Sequence, residues 1–397
     1  MGRIQAITRA SALSFLICLS SMVLTGCWDR TEVNDLALIL AAGMDKGKKS
    51  NVELSVLVFI PQPQSGQGGS GMSGGGSSSQ SFVRSAEGET VADAMTQLQE
   101  ALTREIFWGQ NEVLLIGEEL AREGINSQVD FWMRHSKPRI RADVFVSKGK
   151  AKDVLTAMPE LERDASKQLR KLVKTHIGVQ VTVKDLTQML SGDSNAAVLP
   201  WVENLPSSQM DKNKDIPIIN GAAIFKQGKM VGKLSDKETR GILWPRNEIE
   251  SGVITISIED EPGFISLDLL RDHNELIPSI KNGKWSMHIK TEADFEVIEN
   301  TTKQNLFTPD MMKKAKQKVK SEIEQREKLA FAIVQKKLHA DVFGFAVEFE
   351  RKYPQVWKQK KDEWNDIFPE VAVTFDTKVK IERTGLATGK RKRGDER

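Results

Sequence analysis

Two cysteines and five histidines in 397 residues leave little material for thiol or metal chemistry. Cys18 falls inside an apolar leader and Cys27 directly after it, so once the leader is removed no pair remains for a disulfide, a zinc knuckle or a redox couple. The histidines, His135, His176, His273, His288 and His339, stand singly. None falls in HExxH or at a four-residue ligand spacing, so neither a zinc site nor a Ser-His-Asp triad has a local signature. Beyond the leader no apolar run approaches the roughly 20 residues of a spanning helix. A formal net charge of only +3 supplies no global field for nucleic acid. Two motif matches in a low-complexity tract, GxGxxG at Gly66, Gly68 and Gly71 and GxSxG at Gly71, Ser73 and Gly75, lack the strand-to-helix setting that either chemistry needs.

What is present begins with that leader. Arg3 and Arg9 precede an apolar run from Ala12 to Val23, the layout of a secretory signal peptide. It ends Leu24, Thr25, Gly26, Cys27, which resembles a bacterial lipobox, in which the cysteine thiol takes a diacylglycerol and becomes residue one after cleavage. Cys27 is therefore the expected lipidation site. Removing residues 1–26 leaves 371 residues, enough for two or three domains held by core packing alone.

Along the mature chain, Leu36–Met44 and Val52–Ile60 read as a pair of strands. Pro61–Ser81, rich in Gly and Ser, reads as a disordered loop within one domain. From Thr90 to Leu190 helical and strand patterns alternate, an α/β arrangement that could divide into two subdomains. A polar stretch, 201–217, is the expected linker between an N-terminal α/β region (27–200) and a C-terminal α+β domain (218–385). In that second domain "IINGAAIFKQGKMVGKL" predicts a hairpin turning at Gln227 and Gly228, and Trp285–Val297 alternates strictly. Thr308 and Pro309 open a helix about 45 Å long, with an apolar stripe through Met312, Ala315, Val319, Ile323, Ala330, Val334 and Leu338. Val371–Ile381 is a last alternating strand, ahead of a disordered basic tail, 386–397. The expected fold class is α+β (mixed α/β), multidomain, the C-terminal sheet carrying the long helix on one face.

"GCWDRTEVNDLALILAAGMDK" from Gly26, "EVLLIGEELAREGI", and "DVFGFAVEFERKYPQVWKQKKDEWNDIFPEVAVTFDTKVKIERTGL" with its pair Trp357 and Trp364 resemble the Ger(x)C spore-germination lipoproteins, the C subunits of nutrient germinant receptors. The resemblance spans nearly the whole mature chain except the Gly/Ser tract and the basic tail. It implies a non-enzymatic subunit without cofactor or metal, lipid-anchored on the outer face of the spore inner membrane. Its implied partners are two integral membrane subunits of A and B type. The residues carried over by the motif are Cys27 for lipidation and Trp28, Asp29 and Glu32 as an interface. Trp28 would place its indole at headgroup level or pack under the first domain. The rival readings are the substrate-binding lipoprotein of a bacterial importer, which needs two similar lobes around a cleft, and an exported hydrolase, for which no coherent catalytic set is visible. The lysines at 313, 314, 316, 318 and 320 read as the solvated face of the long helix.

Overall fold

The computed structural model describes residues 32–60, 81–159, 161–175, 178–206, 215–249, 251–259, 261–302, 304–306 and 308–383. The expected disordered Gly/Ser loop, but for Ser81, and the basic tail lie outside them. A mixed nine-stranded sheet takes up the first part of the chain. Leu36–Lys46 (β1) and Val52–Phe59 (β2) pair antiparallel, and Ser81–Gly88 (β3) adds to β2 as the sheet edge. Val91–Glu100 (α1) follows, its first turn closed by Thr90 Oγ1 accepting the Asp93 N–H at 3.1 Å. Glu105–Phe107 (β4) and Val113–Gly117 (β5) both run parallel to β1.

Glu118–Glu123 (α2) stops at Gly124 and is followed by Asn126–Arg134 (α3). Asp143–Ser147 (β6) lies parallel to β5. Ala151–Leu155 (α4), Ala165–Lys174 (α5) and Val183–Ser191 (α6) complete the helical cover, α6 opening on a Thr182/Asp185 capping box. Helices α4 and α5 bury Val154, Leu155, Leu169 and Val173 against Ala41, Leu115 and Phe145 on one face of the sheet. The opposite face packs α1, α2, α3 and α6, with Leu98, Leu120, Trp132 and Leu186 buried. Strands covered on both faces read as continuous apolar runs, which is why β1, β2 and β5 were legible without alternation.

The stretch expected to be a linker, 201–217, is mostly strand. Ala196–Pro206 (β7) and Asp215–Lys226 (β8) pair antiparallel, and 207–214 lies outside the described residues. The prolines misled: Pro200 sits at a register shift between Pro200 and Val202, and Pro206 at the strand end, positions where a missing N–H costs little. Lys229–Leu234 (β9) completes the sheet through a hairpin whose turn residues, Gln227 and Gly228, have φ of 54° and 77°, the left-handed pair of a type I′ turn. The hairpin expected in the second domain therefore belongs to the first sheet. Asp236–Leu243 (α7) follows on a Ser235/Glu238 capping box.

The second sheet has four strands: Val253–Ile256 (β10), Ile265–Lys281 (β11), Lys284–Asn300 (β12) and, added parallel to β12, the last strand Ala372–Arg383 (β13). Between β12 and β13 runs Pro309–Val334 (α8), shorter than expected because the helix ends at Val334 rather than Leu338. Its buried stripe is Met311, Ala315, Val319, Ile323, Glu327, Ala330 and Val334, so Met311 rather than Met312 faces inward and a glutamate sits in the apolar row. Phe345–Lys352 (α9), Pro354–Lys360 (α10) and the single turn Trp364–Ile367 (α11) close the end of this sheet. Helices α7 and α8 touch so closely that a Cβ on Gly241 would lie 2.1 Å from the Arg326 carbonyl oxygen, and one buried cluster runs through both sheets. Among the described residues no helix is long and apolar enough to cross a membrane.

Candidate functional site

One concavity lies where the two sheets meet, a cavity of about 500 Å³ between the α6–β7 turn and helices α9 and α10. Met189, Asp193, Arg246, Val347, Trp357 and Lys361 line it. Its floor is an aromatic cluster: Trp357 and Trp364 meet edge to face at 5.0 Å, and Trp285 from β12 lies 6.4 and 5.9 Å from them. The indole N–H groups are both used. Trp357 Nε1 donates to Asp193 Oδ2 at 2.8 Å, tying the two sheets together, and Trp364 Nε1 donates to Asp341 Oδ2 at 3.2 Å. Asp341 also accepts the N–H groups of Phe345 and Ala346 at the start of α9, at 3.1 and 2.8 Å. Burial pushes its carboxyl above the usual range even so.

A second polar centre sits at the carboxyl ends of β1 and β5, the end at which open α/β sheets place ligands. Asp45 is buried there and caps α4, accepting from Ala151 N at 2.7 Å and Lys152 N at 3.0 Å. Burial raises its pKa despite those bonds. Gly117 is required beside it, since a Cβ would meet Asp45 Oδ1 at 2.0 Å. Glu53, on β2, receives Lys150 at 3.0 Å and Lys152 at 3.1 Å; burial pushes its pKa up, but these bonds outweigh it and hold the carboxyl low. The adjoining cavity, about 320 Å³, is lined by Lys46, Glu118, Glu119, Arg122 and Lys150 as well as Asp45. All three of its cations are held in ion pairs: Lys46 with Glu123, Arg122 with Glu118, Lys150 with Glu53.

The third unusual group is Glu327, fully buried on α8. Burial pushes its pKa up to about 8, so it is mostly protonated at neutral pH. Thr291 Oγ1 donates to Asn274 Oδ1 at 2.7 Å and lies 3.4 Å from Glu327 Oε1. Thr377, the cross-strand partner of Thr291, leaves its hydroxyl without a partner, as does Glu327 its Oε2.

None of these centres joins a nucleophile to a base, and among the described residues no group of three or more His, Cys, Asp or Glu could hold a metal ion. His288 faces outward and meets Thr374 Oγ1 at 3.0 Å. The arrangement is suited to contact and coupling between two packed halves. Of the residues expected to matter, Cys27, Trp28 and Asp29 lie outside the described residues. Glu32 is exposed just ahead of β1, its carbonyl accepting the Asp35 N–H at 2.9 Å. Trp357 and Trp364 are brought together. Asp193, Asp341, Asp45 and Glu327 were missed by sequence reasoning; only Glu327 had a signal, as a carboxylate four residues after Ile323 in an apolar stripe.

Comparison with known proteins divides the chain between β7 and β8, inside the nine-stranded sheet and near the boundary expected from the sequence. The family described as "Spore germination protein N-terminal domain" matches residues 29–204, and "Spore germination B3/ GerAC like, C-terminal" matches residues 220–385. Spore germination protein KC of Bacillus subtilis (strain 168) is 26% identical over 95% of this chain and 97% of its own. Putative spore germination protein YfkR of the same organism is 29% identical over 94% and 96%. The crystal structure of the GerBC protein superimposes with a TM-score of 0.56 over 86% of this chain and 97% of that one, at 19% identity, showing the same mixed α/β fold. With both halves matched in order, the chain belongs to the Ger(x)C family of spore germination proteins.

Proposed function

We propose that this protein is the lipid-anchored C subunit of a spore nutrient germinant receptor. It acts without catalysis by binding two integral membrane subunits on the outer face of the spore inner membrane. The observation that carries this reading is the match of both family halves along one chain, from residue 29 to residue 385. The lipobox-like Leu24–Cys27 supports the anchor, and Cys27 is the residue that takes the diacylglycerol. Trp28, Asp29 and Glu32 follow as the contact nearest the membrane partners. The paired charges of the Asp45 cavity and the capped carboxylate of Asp341 support a binding protein over an enzyme. The importer reading would call for two similar lobes, and the nine-stranded and four-stranded sheets are unlike.

The test is co-purification. A tagged chain extracted from spore membranes in mild detergent should bring down two multi-span membrane proteins. Recovery alone, or with the permease of an importer, would defeat the proposal.

A further inference from the structure

The end of the nine-stranded sheet at which β1 begins carries an unusual surface. Antiparallel and parallel registers bring the end of β2, the start of β3 and the end of β4 to the same place: Leu38 of β1 faces Phe59 on one side and Phe107 on the other, and Phe59 faces Ser81. Leu161, beside this edge, is 91% exposed, Val33 58% and Phe107 40%. Arginines are interleaved with the rings. The Arg163 guanidinium stacks 4.6 Å over Phe59, which places the Leu161 loop here, and Arg84 lies 5.4 Å from the Phe82 ring. Glu112, whose N–H donates to the Leu40 carbonyl at 3.0 Å, gathers Arg139 and Arg170 at the same end, next to exposed Ile140 and Arg141.

We infer that this edge is a docking surface for an anionic lipid bilayer, with Val33, Phe107 and Leu161 entering the headgroup layer and Arg84, Arg163 and Arg141 meeting lipid phosphates. The inference rests on the proposed lipidation of Cys27. Val33 lies six positions after Cys27, and six fully extended residues reach about 20 Å, so an acylated Cys27 holds this edge, and no other part of the sheet to the same degree, within reach of the headgroups. Exposed apolar side chains beside arginines are the composition that binds such a surface; here they stand alongside the exposed carboxylates Glu32, Asp35 and Glu105, and Arg163 is itself paired with Asp164 at 3.0 Å. The opposite end of β1, where Lys48 is exposed in the turn to β2, is about 35 Å away by the rise of eleven strand residues.

The mature lipidated chain would have no free thiol, so one introduced cysteine can carry a polarity-sensitive fluorophore. The lipidated protein bearing Leu161→Cys, or Lys48→Cys as the distal control, is reconstituted in phosphatidylcholine vesicles with and without phosphatidylglycerol, and quenching by headgroup-depth spin-labelled lipid is read. The probe at 161 should be quenched several-fold more than the probe at 48, and more strongly in the anionic vesicles. Leu161 is almost fully exposed, so its replacement leaves the core untouched. Equal quenching at both positions, or none at 161, overturns the docking edge while lipid mass on Cys27 leaves the anchor standing. Absence of that lipid mass removes the anchor, and with it the tether on which the edge depends.

Discussion

Glu327 shows how one side chain sets a dependence on pH. Its carboxyl ionises near pH 4.5 in an unfolded chain and at about 8 in the folded protein, where burial disfavours the charge. Between those values the folded state holds a proton that the unfolded state has lost. Stability therefore falls as pH rises, by about 1.4 kcal/mol per pH unit from this group. Glu327→Gln keeps the shape without the charge, and its urea midpoint should fall less than that of the wild type between about pH 5 and about pH 8. Parallel curves would mean that Glu327 is solvated in a way its complete burial denies. In β13, Phe375 turns inward onto Phe331, their ring centroids 5.6 Å apart, while Lys378 points outward and reaches Glu292 at 3.7 Å. Phe375→Ala should cost about 3 kcal/mol, the low end for such a truncation because the ring is half-buried. Lys378→Ala should stay within about 0.5 kcal/mol. Thermal denaturation distinguishes the two, and equal losses would overturn the assignment of faces. Alternation in the sequence was enough to assign these faces. It could not reveal Asp193, Asp341 or Asp45, whose roles depend on N–H groups 106 to 164 residues away for Asp45 and Asp193 and on a helix start for Asp341.

At the scale of elements, the contact between α7 and α8 admits no added atom. A Cβ at position 241 would meet the Arg326 carbonyl at 2.1 Å and the Ala330 methyl at 2.9 Å. Gly241→Ala should therefore force the helices apart and cost about 2 kcal/mol or more, despite the better helix propensity of alanine, as read by the denaturant midpoint. A gain in stability would show that the helices are free to separate. Most elements were legible where periodicity was strong: β1, β2, β12 and α8 follow from apolar runs or alternation. The pairing of β7 with β8 was hidden because Pro200, Pro206 and Pro217 imitate a linker, and nothing local shows that a strand with prolines at a register shift and an end is still a strand. The parallel placement of β13 beside β12 was hidden for a different reason. Side-chain alternation is the same in parallel and antiparallel strands, and the direction is set by the crossover through α8.

For the whole molecule, two unlike sheets share one buried cluster and are tied by Trp357 to Asp193, so binding to one half has a physical route to the other. In the proposed function the residues that would join this body to a membrane precede its first strand, and the proposal rests on Cys27. Two acyl chains hold a protein on a bilayer where one chain is marginal, at roughly 0.8 kcal/mol per buried CH₂. The measurement that tests the account most directly is nutrient-triggered germination of spores whose only copy of this protein begins at Trp28 behind an ordinary, non-lipoprotein signal peptide. The account predicts a normally folded protein by circular dichroism and little or no germination, because the subunit is no longer held beside its membrane partners. Full germination with that unlipidated chain would contradict it.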